Sequence, residues 1–69
     1  MSGWKFVAEF RRGRKDPILL ACLVAVSDLD QAQRIAATKL VGADEITAEE
    51  ISNAELKRLN IKNGEAVFL

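Results

Sequence analysis

Trp4-Lys5-Phe6-Val7-Ala8-Glu9-Phe10-Arg11-Arg12 alternates with a period of two: Trp4, Phe6, Ala8 and Phe10 point one way, Lys5, Val7, Glu9 and Arg11 the other. Successive side chains of a strand fall on opposite faces, so the pattern predicts a strand half buried against a core. Three of the four aromatic residues, Trp4, Phe6 and Phe10, share one face and make it a main wall of that core.

Reading outward, residues 12–17 (Arg-Gly-Arg-Lys-Asp-Pro) form a polar connection. Gly13 allows a positive φ and Pro17 cannot donate to a strand ladder, which suits a hairpin loop and its edge. Residues 18–26 (Ile-Leu-Leu-Ala-Cys-Leu-Val-Ala-Val) are apolar throughout. Their length and bounding turns predict a strand buried on both faces. Ser27 is read as the cap of a helix over about 28–41, with Asp30 three residues on, as in a capping box. Leu29, Ala32, Ile35, Ala36 and Leu40 make its apolar face, and Gly42 is expected at C′.

Residues 43–51 allow two readings, an edge strand or a short helix capped by Thr47 with Glu50; the strand is preferred because an edge tolerates its charges. Ser52 with Glu55 predicts a second cap and a helix over 53–59, stopped by Asn60. Asn63-Gly64 is a turn signal, and residues 66–69 read as a final short strand. The order β-β-α-β-(short α)-β predicts a small two-layer α+β domain over residues 1–69, with a mainly antiparallel sheet and one main helix on one face.

The chain has 69 residues, ten basic and ten acidic, with no histidine and one cysteine, Cys22. A domain of this size buries only about 60% of its unfolded surface, so support from outside the core is expected. One cysteine cannot close a disulfide within the chain, and zinc lacks its customary ligands, so self-association becomes the expected support. No cofactor is implied. The longest apolar run, nine residues from Ile18 to Val26, is far short of the ~20 of a membrane helix. With no signal-peptide pattern at the start, the expectation is a cytoplasmic protein without a membrane partner.

The sequence offers few chemical sites. Nucleophilic catalysis needs a nucleophile beside a base; Ser27 has a capping use and Cys22 lies in the most apolar segment, where a thiol stays protonated. Three acidic pairs, Asp28/Asp30, Asp44/Glu45 and Glu49/Glu50, could do acid–base or magnesium chemistry. Neighbours along a strand diverge, however, and the first pair suits a helix start. No enzyme and no small-molecule substrate are therefore expected.

Two binding readings remain. Arg11, Arg12, Arg14 and Lys15 place four cations within five residues around Gly13. Such a tip could contact phosphates of a nucleic acid, or be a solvated loop. Residues 1–27 carry five basic against two acidic residues, and residues 28–69 five against eight. The imbalance is read as complementarity between neighbouring elements. The other candidate is the second strand, whose two apolar faces exceed what one helix can cover. An uncovered stripe of Val7, Leu19 and Leu23 would be an interface to a protein partner, most simply a second copy, unless the C-terminal segment wraps it. Burying the two leucines would contribute roughly 3–6 kcal/mol. The leading expectation is thus a non-catalytic interaction or assembly module, with a small nucleic-acid binder as the alternative.

Overall fold

A computed structural model describes residues 2–13 and 15–69. Its elements are β1 (Gly3–Phe10), β2 (Ile18–Val24), α1 (Leu29–Lys39), β3 (Glu45–Ile51), α2 (Asn53–Arg58) and β4 (Ala66–Phe68). The four strands form one sheet in the order β3-β1-β2-β4, and every neighbouring pair is antiparallel. This is the expected α+β layout, with residues 45–51 a strand at one edge.

The register turns the period-two pattern into two faces. Phe6 lies between Cys22 of β2 and Ala48 of β3, while Val7 lies between Ala21 and Thr47. On the first face Phe6, Ala8, Cys22 and Val24 pack against Ala32, Ala36 and Leu40 of α1 and its C-cap. Trp4 and Phe10 flank this cluster. The alanines of α1 let the helix sit close to the sheet.

Helix α1 starts one residue later than the sequence suggests. Its cap is Asp28, whose carboxylate accepts the Asp30 N–H at 3.1 Å. Ser27 lies before the cap, and its carbonyl accepts the Trp4 Nε1–H at 3.0 Å. At the other end Leu40 is the C-cap, so Gly42, with φ +88°, stands beyond C′. The second helix follows the expected pattern: Ser52 Oγ accepts the Glu55 N–H at 3.2 Å, and Asn60 takes φ +58°. Glu55 pairs with Arg58.

The strands β3 and β4 occupy opposite edges of the sheet, so the connection carrying α2 crosses the second face. It does so at one end only. Leu56 is buried there, and the cleft beneath α2 is lined by Lys5, Leu23, Ser52, Glu55 and Leu59. Leu23 is consequently 2% exposed and Ala25 likewise 2%. This corrects the expectation that Leu23 belongs to an uncovered stripe: the C-terminal segment wraps it.

A second correction concerns β2. Only its later half is buried on both faces; Ile18, Leu19 and Leu20 are 39%, 63% and 42% exposed. β4 reaches no farther along β2 than Cys22, apart from the Leu69 N–H that donates to the Ala21 carbonyl at 3.0 Å. Among the described residues, the first residues of β2 therefore have β1 as their only strand neighbour. No helix of the described residues is long and apolar enough to cross a membrane.

Candidate interaction site

The hairpin tip is tied down by acid. Asp44, just before β3, accepts the backbone N–H groups of Arg11 at 2.6 Å and Arg12 at 3.2 Å through one carboxylate oxygen. The Arg11 bond first and the Arg12 bond next, with the Arg12 and Arg11 charges as lesser aids, outweigh desolvation and hold the Asp44 carboxyl below the usual carboxylate range. The Arg11 guanidinium lies 3.3 Å from Glu45 and 3.5 Å from Glu9. Of the four expected cations, Arg11 is thus internally paired, and Arg12 and Lys15 are exposed. Arg14 lies outside the described residues.

The acidic pairs take separate uses. Asp28 caps α1, Asp44 and Glu45 hold the hairpin, and Glu49 and Glu50 face opposite sides of β3 by the alternation of the strand. Among the described residues no three acidic or thiol groups gather where they could hold a metal ion. Cys22 is fully buried between Phe6 and Phe68 in the register. Burial pushes its thiol up, with the Lys39 charge opposing weakly. A protonated, enclosed thiol is a packing group, not a nucleophile.

Apolar surface is the more prominent feature. On the outer face, Leu19 sits opposite Glu9 and beside Val7, with Ala21 between Val7 and the β4 side. Val7 is half-buried and Leu19 open, because α2 covers only the far end of this face. The stripe of the sequence reading is therefore split, with Leu23 inside the fold and Leu19 outside it. On the α1 face, Ile18, Leu20 and Phe68 add further exposed apolar groups. Nothing local in the sequence marks these three as open, since how far α1 covers the face depends on tertiary packing.

The third feature is a groove of about 240 Å³ between α1 and β3, lined by Phe6, Gln33, Ala36, Ala37, Ile46 and Ala48. α1 packs over β1 and β2, which leaves the edge strand beside it. The signal in the sequence was the adjacent pair Ala36-Ala37, one alanine facing the core and one facing the edge. Compared with known protein families, with curated proteins and with solved structures, the chain finds no match.

Proposed function

We propose that this chain is a non-catalytic assembly module that pairs with a second copy through the outer face of its β1–β2 hairpin, around Leu19 and Val7. The observation that carries the reading is Leu19, a 63% exposed leucine in a strand where apolar residues occupy both faces. A chain this small gains stability by removing such surface from water. Leu23 does not belong to this surface, since α2 already covers it. The nucleic-acid alternative draws on exposed Arg12 and Lys15, yet Asp44 and Glu45 sit against the same loop and weaken its positive potential.

Sedimentation velocity over the micromolar to millimolar range tests the proposal. The wild type is expected to shift from monomer to dimer, and Leu19→Lys to stay monomeric with an unchanged far-ultraviolet spectrum. A wild type that remains monomeric at the highest concentration overturns it. Leu23→Lys serves as the contrast: it places a charge in a closed site and should unfold the chain.

A further inference from the structure

The most continuous open edge of this sheet is β3, and its chemistry specifies what would pair with it. On the far side of the sheet Ala21 and Ala25 direct their backbone groups toward β4, as shown by the Leu69 N–H on the Ala21 carbonyl and the Ala25 N–H on the Glu65 carbonyl. Backbone direction alternates along each strand and carries across the register. Ile18, Leu20, Cys22 and Val24 therefore face β1; Lys5, Val7 and Glu9 face β3; Glu45, Thr47 and Glu49 face back. What remains are the N–H and C=O groups of Ile46, Ala48 and Glu50, directed outward from the edge. Among the described residues β3 pairs with no strand but β1, and no turn, loop or cap bond involves these groups.

The side chains of these same three residues lie on the α1 face, and Ile46 and Ala48 form one wall of the α1–β3 groove. Backbone donors and acceptors thus stand directly beside an apolar recess. The strand itself is one-sided in charge: Glu45, Glu49 and Glu50 give β3 three carboxylates and no cation, which Arg11 at Glu45 and Lys5 opposite Glu49 on β1 offset only in part. Two β3 edges brought together would align three carboxylates from each copy along one seam, which opposes pairing of the edge with itself. The far side of the sheet offers no equivalent: its edge strand β4 is three residues long, and in the stretch of β2 that β4 does not reach, Leu19 is, among the described residues of the strand, the one whose backbone groups point outward without a partner.

We propose that β3 and the adjoining groove receive an extended, basic segment of another protein as a fifth strand, its apolar residues seated beside Ile46 and Ala48 and its cations beside Glu45, Glu49 and Glu50. Main-chain hydrogen bonds would hold such a segment, and alternate side chains would select it. An antiparallel partner that matches β3 position by position reads Lys-Lys-Val-Thr-Val-Lys, from the residue opposite Glu50 to the residue opposite Glu45. This inference stands apart from the hairpin dimer, since it uses the β3 edge and the groove on the α1 face and neither Val7 nor Leu19 of the outer face.

The test is titration of that hexapeptide into the isotopically labelled full chain, followed by amide NMR. Shifts are expected at residues 45–51 and along 33–37. N-methylation of the two valines, whose N–H groups must face β3, should abolish binding, whereas N-methylation of the threonine should preserve it. Ala48→Pro removes an outward donor and leaves the β1 ladder intact, as prolines do on strand edges; it too should abolish the shifts. Glu49→Gln with Glu50→Gln, a variant that leaves the backbone unaltered, should weaken binding about tenfold. Leu19→Lys should leave it unchanged, so loss of the hairpin dimer and loss of the edge site are read separately. The proposal is overturned by absence of shifts or by shifts centred on Val7 and Leu19. Equal binding of Glu-Glu-Val-Thr-Val-Glu, or a self-association that Ala48→Pro removes, would overturn it as well.

Discussion

The Asp28 carboxylate accepts the Asp30 N–H at 3.1 Å, and the Asp28 carbonyl accepts the Ala32 N–H at 2.9 Å. The first bond satisfies one of the N–H groups at the head of α1 that have no partner within the helix, and the second opens the ladder of intrahelical bonds. Asp28→Ala should therefore cost about 1 kcal/mol, seen as a fall in melting temperature of roughly 4–8 °C for a domain of this size. Ser27→Ala should leave the melting temperature nearly unchanged, because Ser27 contributes its carbonyl, not its hydroxyl, to the Trp4 indole. Equal effects of the two replacements would place the helix start wrongly. Ser27 and Asp28 both have capping side chains, and local sequence favours neither strongly. The choice is made by Trp4, 23 residues away, whose indole fixes Ser27 outside the first turn. A tertiary bond of that span leaves no periodic trace in the chain. Cys22 is the opposite case: its apolar neighbours on both sides announced a buried thiol, and burial is what raises its pKa.

At the level of elements, the least obvious contact is that of α2 with the sheet. Gly3 shares the outward parity of Lys5 and Val7, and it is buried under Leu56. A Cβ at Gly3 would stand 2.5 Å from the Val24 carbonyl oxygen and 3.1 Å from Leu56 Cδ1. Carbonyl and strand cannot both retreat, so Gly3→Ala should cost roughly 1–3 kcal/mol, the usual range for overpacking. Urea unfolding measures the loss, and hydrogen exchange should show α2 and Ala25 losing protection ahead of the β1–β3 ladder. An unaffected midpoint would mean that α2 rests on the sheet less closely. The strands, both helices and the edge position of β3 were legible because alternation and capping are local signals. The crossing of α2 over the second face was not, since it depends on β3 and β4 lying at opposite edges. The same gap explains Leu23 and Leu19: residues of one parity in one apolar run, divided by how far a six-residue helix reaches. The α1–β3 groove is invisible in the sequence for a related reason, as its walls come from three separate elements.

Across the whole molecule, neutrality hides a division that the fold brings together. The basic hairpin tip and the acidic start of β3 adjoin, with Asp44 receiving two N–H groups of the tip and Arg11 lying between Glu9 and Glu45. The Asp44 carboxyl titrates below its ordinary range because those N–H groups favour its charged form, the Arg11 bond most of all. A carboxyl whose folded pKa is depressed stabilises the fold fully above its unfolded value, and that contribution fades as pH falls through the folded value. Asp44→Asn keeps the shape and one acceptor but removes the charge. The variant should thus melt below the wild type at neutral pH, and the gap should narrow steadily in acid as the wild-type carboxyl takes up its proton. Glu55, lowered chiefly by its hydrogen bond to Arg58, also loses its contribution in acid. It is present in both proteins, so the comparison isolates Asp44. Because the group is exposed, added salt should shrink the neutral-pH gap as well, mainly through the ionic part of its contact with the tip. Melting curves of the two proteins from neutral to strongly acidic pH decide the matter. Parallel curves, with a constant gap at every pH, would show that Asp44 holds the hairpin by shape alone and that its charge plays no part in joining the two halves.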